Sequence, residues 1–135
     1  MNSELRLLVW ARSGDSCEYC RMPDEFDPLP FGIDHIRPQY HHGSSTAENL
    51  CVSCFSCNTF KAVNIAGHDP DTGELTRLFH PRDDNWNAHF GWDGPDLRGF
   101  TAVGRTTIDV LRMNLPDRVE HRRLLLALGV FPASR

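Results

Sequence analysis

Two pairs of cysteines in this chain of 135 residues have a spacing that suits a zinc ion. Cys17 and Cys20 form one Cys-x-x-Cys pair, and Cys54 and Cys57 form the other. Each pair can present two thiolates from a tight turn, and four thiolates complete a tetrahedral zinc site with no open position for a substrate. The spacing therefore predicts a structural zinc that stabilises a small core.

Cys51 offers a different register, because Cys51-x-x-Cys54 has the same spacing. We favour the pair Cys54 and Cys57, since such a knuckle usually lies where a strand is followed by a helix. Asn58 and Lys61, which follow Cys57, are three residues apart, and this spacing places two side chains on one side of a helix. Cys51 is then predicted to be an interior strand residue. The alternative is a single knuckle, with the remaining cysteines as ordinary buried thiols.

The segment between the knuckles and the start of the helix after the second knuckle contain residue types that can activate water and bind a hard cation. Imidazole, with an unperturbed pKa of about 6.5, suits the activation of water near neutral pH. Carboxylate and amide oxygens are ligands that a hard cation such as Mg²⁺ accepts. A lone histidine is more often an ordinary polar residue, so the interpretation depends on the order of the whole set. That set is Asp34-His35-x-x-Pro38, Gly43, Asn49-Leu50, and Asn58-x-x-Lys61.

This arrangement resembles the HNH endonucleases of the zinc-knuckle type. Their pattern runs Cys-x-x-Cys, Asp-His-x-x-Pro, a loop that contains glycine, Asn-Leu, and Cys-x-x-Cys-Asn-x-x-Lys. The similarity covers residues 5–65, which is roughly half of the chain. It implies an α+β fold with a ββα-metal HNH core held by a four-cysteine zinc site.

The resemblance also implies a role for each matching residue. His35 takes the place of the general base, and Asn49 takes the place of the middle asparagine, which holds the hairpin loop and so the His35 ring. Asn58 stands where the family usually has its last histidine, so the chain is an HNN variant. Asp34 and Asn58 are then expected to hold one catalytic Mg²⁺ or Mn²⁺ ion, because a neutral amide oxygen can still ligate a hard cation.

Three residues near the proposed centre are predicted to contact nucleic acid: Arg37, His41 and Lys61. For each of them a solvated surface position is the alternative. His41 matches a histidine that is often followed by two glycines in the family, and His42 stands where one of those glycines is usual. A residue other than glycine resists positive φ, so the loop departs from the family pattern here.

The rest of the chain predicts a pattern of short elements. Domain organisation is expected to be a core at residues 1–66 and a C-terminal extension at residues 67–135, packed on the core as a single domain overall. Ser3 can cap a first helix. The predicted elements are a helix to about residue 12, strand, loop, strand and helix across 31–65, short strands within 74–79, 86–92 and 97–101, and helices at 106–114 and 116–129. Asp117 and Glu120 resemble a capping box. The aromatic residues predicted to pack in the extension are Phe79, Trp86, Phe90 and Trp92.

Composition limits the class of protein. The formal net charge of −4 argues against a chain that coats nucleic acid through bulk electrostatics. Among the 14 basic residues Lys61 is the only lysine, and arginine is the side chain that pairs with phosphate bidentately. The start, MNSELRLLVWARSG, lacks the basic segment and apolar core of a signal peptide, so a cytoplasmic location is expected. Clustered cysteines there favour metal binding over disulfides.

The combined interpretation is a metal-dependent HNH endonuclease that hydrolyses phosphodiester bonds in DNA. The principal alternative is a non-catalytic zinc-ribbon module that binds DNA or a protein, and a cysteine-based redox protein is a weaker one. Cleavage specificity, preference for DNA or RNA, and oligomeric state are left open, a homodimer included. Sequence assigns no role to His80, His89 or the extension.

Overall fold

The computed structural model describes residues 1–132, and the chain divides into two compact units. Unit 1 contains Met1–Ile65 and His80–Asp83, and unit 2 contains Ala66–Phe79 and Asp84–Arg135. Short helices and two-stranded antiparallel sheets occur in both, so the predicted α+β class is confirmed. The packing of a C-terminal extension on the core stays a prediction.

Unit 1 begins with helix α1, Ser3–Ser13. Its N-cap is Asn2 rather than the predicted Ser3, because the Asn2 Oδ1 accepts a hydrogen bond of 2.8 Å from the Leu5 N–H. Gly14 ends the helix with a φ of 64°, a left-handed conformation that glycine adopts at little cost.

An antiparallel hairpin forms the centre of unit 1. Strand β1, Gly32–His35, pairs with strand β2, Leu50–Ser53, and the register places Asp34 opposite Cys51. All four residues of β2 are buried. The small hydrophobic core joins this strand to α1. Its buried members are Val9, Leu50 and Val52, with Leu5, Trp10, Phe31 and Ile33 partly buried against them.

Helix α2, Phe55–Lys61, follows the hairpin directly and completes the strand, loop, strand, helix order expected for an HNH core. Cys54 is its N-cap. We predicted a helix to about Ile65, but α2 ends at Lys61 because Ala62 adopts a φ of 48° and leaves the helical path.

Unit 2 contains the remaining helices and strands. They are β3 (Ala66–His68), β4 (Leu75–Arg77), α3 (Trp86–His89), β5 (Phe90–Asp93), β6 (Asp96–Gly99), α4 (Ala102–Val110) and α5 (Pro116–Ala127). β3 pairs with β4, and β5 pairs with β6. Within residues 1–132 no helix is both long and apolar enough to cross a membrane.

Three predictions for unit 2 are wrong: the type of one element, the start of one helix and a capping box. The predicted strand at residues 86–92 is a single helical turn followed by β5, because the Asn85 Oδ1 accepts from the Asn87 N–H and caps the turn. α4 begins at Ala102 rather than residue 106, since Thr101 caps it. α5 begins at Pro116 and has no side-chain cap, so the capping box does not form.

Aromatic packing in unit 2 is confirmed. Phe79, Trp86 and Phe90 are all buried, and the rings of Phe79 and Phe90 lie 5.2 Å apart at their centroids. Trp92 extends the cluster, with its ring centroid 6.0 Å from that of Trp86. Edge-to-face and tilted pairs of this kind stabilise a small core beyond the area they bury.

Candidate active site and metal centre

Four buried cysteines form a cluster that fits a zinc ion. Their sulfur atoms all lie within 4.8 Å of one another, and the cluster comprises Cys17, Cys20, Cys54 and Cys57. The Sγ atoms of Cys20 and Cys54 are 3.8 Å apart. A tetrahedral zinc with Zn–S bonds of about 2.3 Å requires sulfur atoms about 3.8 Å apart, so this donor set fits the ion.

The two knuckles have the same local geometry. The Cys20 N–H donates to the Cys17 Sγ over 3.5 Å, and the Cys57 N–H donates to the Cys54 Sγ over 3.3 Å. Each pair is therefore one turn whose backbone amide supports its first sulfur atom. Cys51 lies outside the cluster, buried in β2.

Electrostatics of the cluster favour a cation at its centre. Hydrogen bonding with Cys17 and the other thiols raises the pKa of Cys54, and burial raises the pKa of Cys57. Four thiolates in one buried place repel one another, and a dication removes that cost. Within residues 1–132 no other group of three or more His, Cys, Asp or Glu side chains lies close enough to share a metal.

Asp34 is a buried carboxylate in β1, with 8% of its surface exposed. Its Oδ2 lies 3.1 Å from the Lys61 Nζ and accepts a hydrogen bond of 3.0 Å from the Tyr19 hydroxyl. Burial raises the pKa of Asp34, while the charge of Lys61 opposes that shift. The carboxylate therefore depends on its partners to stay ionised.

Lys61 is the last residue of α2 and is only 1% exposed. Besides its ion pair with Asp34, its Nζ donates a hydrogen bond of 3.1 Å to the His35 carbonyl. The structure thus gives Lys61 a protein partner in the place of the predicted phosphate. Contact with nucleic acid would require the ammonium group to leave this buried pair, and that role stays a prediction.

His35 is the last residue of β1, and its ring is half-buried. Its Nε2 lies 2.8 Å from the Ser45 Oγ. Side chains of consecutive strand residues leave opposite faces of the strand, so His35 and Asp34 do not share a face. His35 is nevertheless close enough to Asp34 to oppose, in small part, the rise in the Asp34 pKa that burial causes.

Asn49 holds together the loop that follows β1. Its Oδ1 accepts from the Arg37 N–H over 2.8 Å, and its Nδ2 donates to the carbonyls of Arg37 and Ser44 over 2.9 Å and 2.8 Å. Ser44 is the neighbour of Ser45, which contacts His35. These contacts agree with the predicted role of Asn49 in fixing the loop and the ring, and the role itself stays a prediction.

The loop accommodates His42 in the position where the family usually has a glycine. His42 adopts a φ of 65°, which histidine tolerates better than most residues do. Gly43 takes part by close approach: a Cβ atom on it would lie 1.7 Å from the Arg37 carbonyl oxygen. No larger residue fits there without moving the backbone.

Arg37 and His41, both predicted to contact nucleic acid, are joined in this loop. The exposed Arg37 donates from Nε to the His41 carbonyl over 2.7 Å. The His41 Nε2 lies 2.9 Å from the Val63 carbonyl oxygen and therefore donates to it. The His41 ring thus ties the loop to the segment after α2.

Asn58 is exposed on α2 and precedes Lys61 by three residues. Residues at this spacing are neighbours on one side of a helix. Because Lys61 contacts Asp34, α2 brings the side that carries Asn58 towards β1. The amide and carboxylate oxygens of Asn58 and Asp34 have the chemistry of ligands for a hard cation.

Sequence reasoning missed two residues of this region, Tyr19 and Ser45. Tyr19 lies between the cysteines of the first knuckle, and that position is a signal for burial. Nothing in the sequence separates Ser45 from its neighbour Ser44.

His80 and His89 make local contacts: the His80 Nδ1 accepts from the Arg82 and Asp83 amides, and the His89 Nδ1 lies 2.6 Å from the Thr101 hydroxyl.

Comparison with known proteins agrees with this geometry. The family model of the HNH endonuclease matches residues 17–62, which make up about a third of the chain. The resemblance inferred from the motifs is confirmed, and it indicates the nuclease family in general. The Septu protein PtuB from Bacillus thuringiensis is 26% identical over 124 residues. That similarity covers 90% of this chain but 46% of the relative, so the chain spans less than half of that protein. No solved structure matches the chain.

Proposed function

We propose that this chain is a metal-dependent HNH endonuclease that hydrolyses phosphodiester bonds in DNA. One observation carries the proposal: Lys61 of α2 contacts both the Asp34 carboxylate and the His35 carbonyl. The helix that carries Asn58 therefore lies directly against the strand that carries the proposed base. The match of residues 17–62 to the HNH endonuclease family supports the same reading.

His35 is the proposed general base. Ser45 engages its Nε2, and within residues 1–132 the Nδ1 has no hydrogen bond. With Nε2–H donating to the serine hydroxyl, Nδ1 carries the lone pair and takes a proton from the attacking water. Asn49 keeps the loop that contains Ser45 in place, so it acts on the reaction through the orientation of this ring.

Asp34 and Asn58 are the proposed ligands of a Mg²⁺ or Mn²⁺ ion. A divalent cation bound there would stabilise negative charge on the scissile phosphate and the departing oxygen. One carboxylate and one amide are few protein ligands, and Mg²⁺ sites of this kind are usually completed by substrate phosphate and water. We therefore expect weak cation affinity without DNA.

Contacts with the DNA backbone are assigned to the loop after β1. Arg37 is exposed, and its planar guanidinium is suited to phosphate. His41 holds the loop on which Arg37 lies. Local positive charge of this kind, together with the cation, compensates for the acidic net charge of the whole chain.

Nicking of supercoiled plasmid in the presence of Mg²⁺ or Mn²⁺ tests the proposal. His35→Ala should lower the cleavage rate by about 10²-fold or more, because the general base is lost, with bound zinc unchanged. His68→Ala is the matched control, since His68 is exposed in unit 2 and should leave the rate unchanged. Intact plasmid with the wild-type protein and both cations would contradict the proposal.

A DNA-binding zinc module that does not cut is the second candidate. The observation that favours it is the buried pair of Asp34 and Lys61, since this carboxylate already has a cationic partner. Such a module would retard duplex DNA on a gel without product, and His35→Ala would leave the binding unchanged. Metal-dependent nicking by the wild-type protein excludes it.

A further inference from the structure

Tyr19 is a fully buried residue of the first knuckle, with 0% of its surface exposed. It lies between Cys17 and Cys20, and a buried tyrosine hydroxyl needs a hydrogen-bond partner. Here the hydroxyl donates to the Asp34 Oδ2 over 3.0 Å. The cysteine cluster and the proposed catalytic carboxylate are thus linked by a single side chain.

The two carboxylate oxygens of Asp34 differ in their hydrogen bonds. The Oδ2 receives the Tyr19 hydroxyl and lies 3.1 Å from the Lys61 ammonium group. The Oδ1 accepts no hydrogen bond from any side chain or amide in residues 1–132. Two donors on one oxygen hold the carboxylate against rotation about its Cβ–Cγ bond, so the other oxygen has a defined position.

We propose that Tyr19 is a positioning residue that couples the cysteine cluster to the orientation of the Asp34 carboxylate. The metal-bound knuckle fixes the turn that carries Tyr19, Tyr19 fixes Oδ2, and Oδ1 is thereby presented to the divalent cation. This role rests on the proposed function, because it concerns the carboxylate that would hold the cation. Side chains that orient a metal ligand in this way raise metal affinity by about 10- to 100-fold.

Glu18, the other residue between Cys17 and Cys20, also connects the knuckle to the hairpin. The Glu18 Oε2 accepts from the Val52 N–H over 2.8 Å, and the Glu18 N–H donates to the Val52 carbonyl over 2.9 Å. Both residues between the cysteines therefore connect the knuckle to the hairpin. Glu18 contacts the backbone of β2, and Tyr19 alone contacts a side chain proposed to act in catalysis.

Cation binding can be measured without turnover in the His35→Ala background. Mn²⁺ is titrated into that protein with duplex DNA present, and bound Mn²⁺ is measured by electron paramagnetic resonance. Tyr19→Phe removes only the hydroxyl. Tyr40→Phe is the matched control, because Tyr40 is the second of two tyrosines and is 75% exposed. We expect Tyr19→Phe to raise the half-saturating Mn²⁺ concentration about tenfold, with zinc content unchanged, and Tyr40→Phe to leave both values unchanged.

Two results separate failure of this role from failure of the proposed function. If Tyr19→Phe retains its zinc and binds Mn²⁺ as tightly as the His35→Ala parent, the positioning role is overturned and the nuclease proposal stands. If the His35→Ala protein binds no Mn²⁺ with DNA and the wild-type protein does not nick plasmid, both are overturned.

A second measurement does not require Tyr19 to be replaced. Tyr40→Phe in the His35→Ala background leaves Tyr19 as the sole tyrosine, so tyrosine labelled with ¹³C at Cζ yields one signal. Because the Tyr19 hydroxyl donates to the carboxylate that is proposed to bind the cation, Mg²⁺ added to the DNA complex should shift this signal. A signal that stays in place at saturating Mg²⁺ overturns the role, even where Tyr19→Phe fails to fold.

Discussion

The two units bury charged and polar groups in different ways. Unit 1 has a hydrophobic core of few residues, and it buries a cluster of four thiols and the Asp34–Lys61 ion pair. Unit 2 has packed aromatic rings, and it buries Arg122 with that side chain only 1% exposed. The first arrangement fits a metal ion, whereas the second consists entirely of side chains and backbone.

This difference shows where a catalytic site can be placed in a small protein. A short chain cannot bury enough apolar surface to hold strained loops and buried charges, so a metal is the usual additional support. Unit 1 carries the proposed site, the positive φ of His42 and the buried Asp34–Lys61 pair. We infer that zinc supplies the stability that these features need.

The largest expected effect is the loss of the cysteine cluster. Cys57→Ser should release zinc and unfold unit 1, because structural zinc contributes about 10–16 kcal/mol and a typical domain has only about 5–15 kcal/mol of stability. Zinc content by metal analysis and NMR signal dispersion measure the outcome. Signals of residues in unit 2 should remain dispersed, since its described residues contain no cysteine cluster.

Cys51→Ala is the matched control for that experiment. Cys51 is equally buried but lies outside the cluster, so only a small cavity should result and zinc should stay bound. Loss of zinc in Cys51→Ala, or its retention in Cys57→Ser, would contradict the assignment of the knuckles.

Replacement of Arg122 should give the next largest effect, in unit 2. Its guanidinium donates to the carbonyls of Pro95 and Met113 and to the Asn114 Oδ1, over 2.7 Å, 2.9 Å and 2.9 Å. It also lies 5.5 Å from the centre of the Trp92 ring. Arg122→Met removes all three hydrogen bonds and leaves the two carbonyls without this donor, so it should lower the free energy of unfolding by about 3 kcal/mol or more.

Urea unfolding measures this change, and Arg123→Met is the control. Arg123 is the next residue along α5 but is 57% exposed, so its loss should change stability by less than about 0.5 kcal/mol. Equal effects of the two substitutions would show that the guanidinium contacts of Arg122 do not stabilise unit 2.

Local patterns predicted much of the fold and part of the candidate site. The cysteine pairing was predictable because the spacing that makes a knuckle lies within four consecutive residues, and the ββα order follows from the same short segment. Residues 86–92 were misread because a helix of one turn, Trp86–His89, is too short to show helical periodicity.

The buried polar network could not be predicted from sequence. Tyr19, Asp34 and Lys61 are far apart along the chain, and only the fold brings their polar atoms together. Sequence analysis predicted that Lys61 contacts nucleic acid, with a solvated surface position as the alternative, and lysine is rarely buried without a partner. The partner that makes its burial possible, Asp34, was itself assigned to a cation.

A pH dependence specific to unit 2 is the third prediction. Hydrogen bonds from Arg105 lower the pKa of Asp69 from its ordinary 3.8 to about 2. Because the folded state holds Asp69 more acidic than the unfolded state does, its stabilising contribution is complete above about pH 4. It is lost as the pH falls towards about 2. Urea unfolding followed on NMR signals of unit 2 should show this loss.

Two substitutions, Arg105→Gln and Arg98→Gln, test whether the contacts of Arg105 cause this pH dependence. Arg105→Gln removes the two guanidinium hydrogen bonds to Asp69, whereas the Asp71 N–H still donates to the Asp69 Oδ1, so most but not all of this pH dependence should be lost. Arg98 forms an exposed pair with Asp93 at 3.5 Å, so Arg98→Gln should retain the wild-type dependence. An unchanged pH profile in Arg105→Gln would assign the acid sensitivity to other carboxylates.

The smallest expected effect has the opposite sign and lies in unit 1. His42 has a φ of 65°, and this left-handed conformation costs a residue other than glycine about 1–2 kcal/mol. Glycine removes that cost but gains about 0.4–1 kcal/mol of freedom in the unfolded chain. His42→Gly should therefore raise the free energy of unfolding by up to about 1 kcal/mol.

His42→Val should lower the free energy of unfolding, because a β-branched residue is poorly tolerated at positive φ. Urea midpoints at constant slope measure both. If glycine lowers the midpoint, the ring of His42 makes a stabilising contact that outweighs the backbone strain.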